Sequence, residues 1–577
     1  MKVSTPHFTI LTADSTDDAK DWAVGLEAYR QSLQAMAGTD DRMLDAVTIV
    51  VFKNERAYKA VARQGEKEDF YTISSSRFVS QEGHFFGAVN PDDAEAARHS
   101  VFLQAGIWLT SSYRWPLPLW LVTGLQQIYE DCSLSSGRIY VGGAIGANTE
   151  SLKGGLHLPL DQMLGMTTSS DAYQKPDGHF NAQAWAFVHY LLLGDHDAHR
   201  ATLAAYMQAI QRGDDADASQ KLLYPDGLPE LSRRFTRFVN DGGYRMETLS
   251  VNVGAIVAQV SVSPAPEAEV QTALGYLHLY FQSVGAAAPY FDRVVELAPQ
   301  DPATLEAEAE LANARGDQVE RQRYYQEAVQ AGSKSYLAHY YAFYPAVQAF
   351  YGSEAAADAT DPAAARQAVD GIKDMLRLRP GFYAGYETLA GLMGSLAEAN
   401  PDDRVVLQEG RKYFPGDAVL ESGQAAYEIL TRSYVSAKNR LDRVLSGDLA
   451  HADRIRHYAE KLRARLNAAN RLYWLEKFYA AQDFDNVEKL LPALARAPLL
   501  PVERERLAAV RAGMSTREML GMVKEAIARK DFTSADALLA EVENTNLSVE
   551  MRKEVSALRA SIATARSGIA KQPASAR

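Results

Sequence analysis

The chain has 577 residues, several times the usual domain size of about 100–200 residues, and we therefore expect two or more hydrophobic cores. Hydrophobic residues make up 47% and charged residues 23% of the sequence, as in an ordinary globular protein. The net charge of -13 argues against a general binder of nucleic acid or anionic membranes, because such binding needs clustered lysines and arginines. The single cysteine, Cys132, excludes an internal disulfide framework and a multi-cysteine zinc site.

The N-terminal sequence MKVSTPHFTILT leads directly into a β-rich segment, without the apolar core of a signal peptide. No window reaches the about 18 apolar residues that a membrane-spanning helix needs. The sequence as written therefore predicts a cytoplasmic protein without a membrane span. If a signal peptide had been removed before residue 1, the same sequence would belong to a periplasmic or otherwise exported protein.

Two β-rich runs, HFTILTA at residues 7–13 and VTIVVFK at residues 47–53, flank a helical stretch over about residues 17–36. This order predicts that an α+β domain begins with a β-α-β unit. The later segment AARHSVFLQAGIWLTSS is apolar nearly all round, which predicts a buried helix. A glycine-rich stretch follows, and its glycines lack the spacing of a dinucleotide-binding loop, so we expect turns there. The next strong helix is FNAQAWAFVHYLLLGD.

The character of the sequence changes near residues 245–265, where a strand-rich connector leads into the linker-like segment SPAPEAE. Beyond it, the chain is rich in Ala, Leu, Glu and Arg and has helical periodicity. We therefore predict four parts: an N-terminal domain over residues 1–245, a linker over 246–265, a helical repeat domain over 266–565 and a flexible tail over 566–577.

The helical half contains the spacing of a 34-residue tetratricopeptide repeat, which is a helix-turn-helix unit. The residues at this spacing are Leu274, Gly275, Ala287, Phe291 and Pro299. Tyr325 follows Phe291 by 34 residues and Ala328 comes three residues later, so a second repeat follows the first. Two later hairpins share an Asp-Phe turn but lie 48 residues apart. We predict an all-α solenoid of irregular repeats, with an unrelated helical bundle as the alternative.

The segment LPLWLVTGLQQIY at residues 117–129 resembles the second zinc-binding element of gluzincin metallopeptidases, as found in bacterial peptidase-MA-like domains. A gluzincin binds zinc with H-E-x-x-H on one helix and a glutamate on the next, and the first glutamate activates the metal-bound water. FNAQAWAFVHYLLLGD is similar to another characteristic helix of that family, while TPHFTILT and LPLDQML are similar to its opening strand and a later turn. The resemblance implies an α+β gluzincin-like domain, which related proteins often join to tetratricopeptide repeats.

The residues that perform the chemistry in that family are replaced in this chain. At the family's usual spacing, the two histidine positions correspond to Leu103 and Ile107, the catalytic glutamate to Gln104 and the third ligand to Thr123. Leu and Ile cannot coordinate zinc, Gln cannot act as a general base, and Thr is a poor replacement for a carboxylate. The resemblance therefore implies a pseudopeptidase that has no catalytic residues, metal or cofactor. We expect Leu103 and Ile107, on one helical face, to fill the former metal site.

Four histidines are candidates for a rebuilt metal site. His99 precedes Leu103 by one helical turn, but neither a glutamate nor a second histidine accompanies it. His189 lies within the strong helix, and His196 and His199 lie within one turn of each other. Each is also explained as a surface, capping or hydrogen-bonded core histidine. A zinc-dependent peptidase with a non-standard site is the alternative to the pseudopeptidase.

Five tyrosines in the segment YLAHYYAFYPAVQAFY are candidates for lining a peptide groove: Tyr336, Tyr340, Tyr341, Tyr344 and Tyr351. Packing between helices is the other explanation for them. Solenoids present extended concave surfaces to peptides and partner helices. The sequence therefore predicts a catalytically inactive scaffold or assembly protein whose helical repeats bind a protein or peptide partner.

Overall fold

The computed structural model describes most of the chain. The residues outside the described part are 14, 38–45, 64–74, 82, 94–96, 98–100, 103–107, 109–116, 131, 172, 174–177, 195–197, 213, 215, 344–361, 448, 450–451, 546 and 571–577. Most of the helix predicted around Leu103 therefore lies outside it, as does part of the predicted tail. The chain divides into two compact units, which are residues 1–393 with 400–424 and 446–455, and residues 394–399 with 425–445 and 456–577.

Two sheets lie in the N-terminal part of the chain. The described strands are β1 (Lys2–Ser4), β2 (Phe8–Thr12), β3 (Val47–Val51), β4 (Ser76–Gln81), β5 (His84–Val89), β6 (Ser133–Ser135), β7 (Arg138–Val141), β8 (Glu247–Ser250) and β9 (Ser261–Ser263). The larger sheet has the order β4-β5-β3-β2-β1-β9, and the smaller has the order β6-β7-β8. Strands β2, β3 and β5 are parallel neighbours, and the remaining pairs are antiparallel.

The β-α-β unit predicted at the start of the chain is confirmed, because helix α1 (Thr16–Ala37) connects the parallel strands β2 and β3. These strands are apolar on both faces, as strands of a parallel sheet covered on both sides are. On one face, Ile10 and Ile49 join a core that includes Leu26 of α1. On the other face, Leu11 and Val50 belong to a second core.

The helices of the N-terminal part surround these sheets. After α1 they are α2 (Glu55–Ala62), α3 (Leu119–Glu130), α4 (Gly146–Ser151), α5 (Leu160–Leu164), α6 (His179–Leu193), α7 (Arg200–Arg212), α8 (Ala216–Lys221), α9 (Leu228–Asp241) and α10 (Val253–Val257). Helix α6 is the strong helix predicted from FNAQAWAFVHYLLLGD, and it is buried along nearly its whole length. An all-round apolar sequence has this fate because no face of such a helix favours water.

Residues 246–265, predicted as a linker, are built into the two sheets. Strand β8 pairs with β7, and β9 pairs with β1 at the sheet edge, where Val262 lies opposite Val3. The short helix α10 connects β8 to β9. The segment therefore holds secondary structure that closes each sheet with a strand distant in sequence.

Consecutive helical hairpins follow. They begin with α11 (Glu267–Phe281), α12 (Val284–Leu297), α13 (Pro302–Ala314), α14 (Gln318–Gln330) and α15 (Tyr336–Ala342). Gly275 of α11 meets Phe291 of α12 so closely that an added Cβ would lie 2.4 Å from the ring. Ser283 and Asp317, 34 residues apart, cap the second helix of each hairpin by accepting a backbone N–H. The first two hairpins therefore repeat in structure at the spacing seen in the sequence.

The rest of the described chain is helical. Its helices are α16 (Pro362–Leu378), α17 (Tyr383–Met393), α18 (Pro401–Tyr413), α19 (Ala418–Leu430), α20 (Tyr434–Ser446), α21 (Ala452–Ala480), α22 (Phe484–Leu494), α23 (Pro501–Ala528), α24 (Phe532–Glu543) and α25 (Val549–Ala570). A mixed α/β part followed by a mostly helical part confirms the coarse fold class. No helix in the described part of the chain is long and apolar enough to cross a membrane.

The two later hairpins that share an Asp-Phe turn are confirmed. In each, the residue before the aspartate has a left-handed backbone, with φ of 61° at Gln482 and 60° at Lys530. Asp483 and Asp531 then cap α22 and α24 by accepting a backbone N–H of the first turn. Local side-chain chemistry therefore sets both turns.

Candidate functional site

The two helices that carry the gluzincin-like sequences pack directly against each other. Gly124 of α3 lies against α6, where an added Cβ would be 2.3 Å from a methyl group of Val188 and 2.6 Å from the carbonyl oxygen of Ala184. Trp120, one turn earlier on α3, is fully buried and contacts Phe187 of α6 with ring centroids 5.2 Å apart. The close approach of these helices therefore depends on a glycine at position 124.

Of the four positions that correspond to the zinc ligands and catalytic base, Thr123 alone is described. It lies on α3 between Trp120 and Gly124 and is partly exposed. Leu103, Gln104 and Ile107 lie outside the described residues. The residue just before them is placed by Tyr29 of α1, whose hydroxyl donates to the carbonyl of Phe102 at 3.0 Å.

His189, a candidate ligand for a rebuilt metal site, is a fully buried residue of α6. Its Nε2 lies 3.0 Å from the carbonyl oxygen of Gly142, to which it donates a hydrogen bond. The rings of Trp185, Phe238 and Tyr244 surround it, with centroids 5.4 to 5.8 Å from its own. Burial lowers the pKa of His189 to about 4, so the imidazole is neutral at pH 7. This environment is that of a hydrogen-bonded core histidine.

The remaining histidine candidates do not join His189 in the described structure. His199 is partly exposed and stacks on Tyr190, with ring centroids 4.5 Å apart. His99 and His196 lie outside the described residues. Within the described ranges, no group of three His, Cys, Asp or Glu side chains is arranged so that it could hold a metal ion.

A histidine pair that the sequence did not suggest lies at the start of α6. The rings of His157 and His179 stack with centroids 3.6 Å apart. Ser151 contacts both of them, since its carbonyl accepts from Nε2 of His157 at 2.7 Å and its hydroxyl lies 3.0 Å from Nδ1 of His179. Gln183 of α6 fixes the same loop by accepting the backbone N–H groups of residues 157 and 158. The four residues are far apart in sequence, so no local pattern indicated them.

Three of the five predicted groove tyrosines are described, and they contact neighbouring helices. Tyr336 is buried against Phe382, with ring centroids 5.2 Å apart. Tyr340 also contacts Phe382 but is partly exposed, as is Tyr341, whose face carries the guanidinium of Arg321 at 3.6 Å. Tyr344 and Tyr351 lie outside the described residues. Packing thus accounts for Tyr336, while Tyr340 and Tyr341 keep part of their surface exposed.

A buried polar cluster lies beside these tyrosines, between α13, α14 and α15. Glu310 accepts a hydrogen bond from the hydroxyl of Tyr325, and Arg321 lies 3.5 Å from the same carboxylate. Tyr341 stacks on Tyr325 with centroids 5.6 Å apart. Burial raises the pKa of Tyr325 well above its usual value, so its hydroxyl remains a donor. The partly exposed Tyr341 is therefore held in place by a buried ion pair and an aromatic stack.

Comparison with known proteins returned no match of any kind. No family model matches the chain, no curated protein matches it, and no solved structure matches its fold.

Proposed function

We propose that the protein is a binding scaffold: a metallopeptidase-like N-terminal domain without zinc chemistry, joined to tetratricopeptide-like helical repeats that hold a protein or peptide partner. The proposal has two parts, the loss of catalysis and the gain of a binding surface. Each part has its own support and its own experiment.

The repeating hairpins carry the proposal. Helices α11 to α14 form two hairpins whose second helices begin 34 residues apart, at Ser283 and Asp317. The buried aromatic positions Phe291 and Tyr325 recur at the same interval. Stacked hairpins of this kind bury one continuous core and leave extended surfaces for partners.

The exposed parts of Tyr340 and Tyr341 supply the chemistry of a peptide-binding surface. Tyrosine is enriched at protein interfaces because it offers a large apolar area, a polar tip and few rotatable bonds. Arg321 on the face of Tyr341 limits the motion of that ring before a partner arrives. A fixed ring loses less conformational entropy on binding, which favours affinity.

The loss of catalysis is supported by residue chemistry at the metal positions. Leu103, Gln104, Ile107 and Thr123 offer neither the imidazole nor the carboxylate ligands that a gluzincin needs. His189, a candidate for a rebuilt site, already donates to a backbone carbonyl and is enclosed by aromatic rings.

Metal analysis tests the catalytic part of the proposal. The protein, purified without chelators, is examined for zinc by elemental mass spectrometry, beside a variant carrying Leu103→His, Gln104→Glu, Ile107→His and Thr123→Glu. We expect a metal-free parent and stoichiometric zinc in the variant, which would also establish the alignment with the gluzincin motif. Stoichiometric zinc in the parent, together with peptide hydrolysis that chelation abolishes, would refute the proposal in favour of the rebuilt peptidase.

Peptide selection tests the binding part. A displayed library of random peptides is selected on the intact protein, and the enriched peptides are measured against Tyr340→Ala, Tyr341→Ala and the control Tyr324→Ala. Tyr324 is a partly exposed tyrosine of α14 outside the predicted groove. Loss of a central aromatic contact costs about 2 kcal/mol or more, so we expect at least about thirtyfold weaker binding to the first two variants. Equal binding to all three variants would place the partner site elsewhere.

A further inference from the structure

A cavity of about 430 Å³ lies in the N-terminal part of the chain, away from the helical repeats. Its walls are one face of α1, the hairpin of β6 and β7, the short helix α10, and Val101 with Phe102. Close-packed protein interiors contain few voids larger than a water molecule. Binding sites for small molecules usually measure about 300–1,000 Å³, so this cavity has the size of a ligand site.

The polarity of the cavity changes from its floor to its mouth. Leu26, Val101 and Phe102 form a buried apolar floor. At the mouth, Val257 of α10 is 53% exposed, and the Asp21 carboxylate is exposed as well. Among the described residues that line the cavity, Asp21 is the charged one. The cavity therefore suits a ligand with an apolar body and a cationic head group.

Gly25, in the middle of α1, contributes to the size of the cavity. A glycine within a helix costs about 1 kcal/mol relative to alanine, and a close contact is the usual reason for keeping one. At Gly124, an added Cβ would clash with α6. At Gly25, an added Cβ would meet only a ring atom of Phe102 at 3.7 Å, an ordinary van der Waals distance. Packing does not explain the missing side chain, whereas the space that it leaves is part of the cavity.

Helix α10 forms a thin outer wall. It has five residues, Val253–Val257, of which Ile256 is buried. Val253 and Val257 face the cavity from this helix. A single helical turn between two short strands is a small element to displace, which gives a ligand a route to the floor.

We propose that this cavity binds a small amphiphilic amine, with its alkyl or aryl body on the floor formed by Leu26, Val101 and Phe102 and its ammonium group beside Asp21. The site is independent of the proposed scaffold function, because it involves neither the metal positions nor the repeats. The apolar body supplies the binding energy through burial, and the ion pair at the exposed mouth selects a cation over an anion.

The single cysteine of the chain provides a readout confined to this site. Cys132 is buried and lines the cavity beside β6, so modification of the thiol by methyl methanethiosulfonate reports on the cavity alone. The probe is n-octylamine, and n-octanoate is the control of equal chain length and opposite charge. Binding is measured by calorimetry, and the rate of thiol modification is measured by mass spectrometry with and without the amine.

Two variants locate the site. Gly25→Leu places a side chain in the cavity, and Gly521→Leu is the matched control, because Gly521 lies within α23 with nothing within 4 Å of an added Cβ. We expect octylamine to bind saturably and to slow Cys132 modification in the natural protein and in the control. Gly25→Leu should abolish both effects. Asp21→Asn should weaken amine binding about threefold and remove the preference over octanoate, since an exposed ion pair is worth at most about 1 kcal/mol.

Two results would overturn the proposal. One is an unchanged rate of Cys132 modification at octylamine concentrations up to its aggregation limit, a measurement on the natural protein that needs no variant to fold. The other is binding to a folded Gly25→Leu protein that is as tight as binding to Gly521→Leu, because the amine would then occupy another surface.

Discussion

The buried histidine of α6 makes the stability of the N-terminal part depend on pH. His189 donates to the carbonyl of Gly142 and is fully buried, and burial lowers its pKa to about 4. In the unfolded chain the same side chain has a pKa of about 6.5. The unfolded chain therefore binds a proton that the folded chain refuses between these two values. Stability contributed by the neutral imidazole is complete above about pH 6.5 and is lost as the pH falls toward 4.

The size of this effect follows from the two pKa values. A tenfold difference in proton affinity corresponds to about 1.4 kcal/mol, so a pKa of about 4 instead of about 6.5 is worth about 3 kcal/mol in all. At pH 5 the loss has reached about 2 kcal/mol. A loss of this size is a large fraction of the roughly 5–15 kcal/mol that stabilises a typical domain.

The variant His189→Gln isolates this contribution. A glutamine amide can still donate to the carbonyl of Gly142 but does not titrate. The assay is urea unfolding followed by tryptophan fluorescence at several pH values from 8 to about 4.5, with Trp185, 5.7 Å from the histidine ring, as a nearby reporter. Other groups with shifted pKa values, such as His278, titrate in both proteins and cancel in the difference.

We expect the natural protein to lose about 2 kcal/mol more than His189→Gln between pH 8 and pH 5. Parallel pH curves for the two proteins would refute the reasoning, because they would mean that the imidazole is hydrated or charged in the folded chain. A variant unstable at every pH but with a flat difference would show that the side chain packs without being held neutral.

Two further substitutions test the packing described above. Gly124→Ala should destabilise the α3–α6 contact by about 1–3 kcal/mol, because its Cβ would overlap Val188, whereas Gly521→Ala in open space should be neutral or slightly stabilising; comparable thermal unfolding of both variants would contradict this. Lys373→Met should cost about 2–4 kcal/mol in chemical denaturation, because it removes a partner 2.9 Å from the fully buried Asp403 carboxylate, and adding Asp403→Leu should recover much of that loss; no recovery would mean that the charge itself is not the cause.

The sequence predicted elements whose causes are local. The run over residues 7–13 is rich in β-forming side chains and its partner over 47–53 is similar, so the strands and the helix between them could be identified from their periodicity. The helical hairpins were visible because Phe291 and Tyr325 recur at the same interval, and because aspartates cap their helices. Such features depend on residues within a few turns of one another.

The contacts at the candidate sites were less visible because they join distant residues. The loop at His157 is held by Gln183, whose role in an apolar helix has no signature in the local sequence. Residues 246–265 have the composition of a connector, yet Val262 pairs with Val3 at the sheet edge. Strand pairing over such separations is set by which edges remain open after the rest has folded, and local periodicity does not contain that information.

The sequence by itself therefore determined the order of the elements, the mixed and helical halves of the chain, and the absence of zinc-binding residue types at positions 103, 104, 107 and 123. Tertiary structure alone decided that His189 is enclosed and neutral, that α3 meets α6 at Gly124, and that α10 covers a cavity beside Gly25. The physical reason is that residue type fixes local propensity and available chemistry, whereas burial and cavity volume arise only when distant elements pack together.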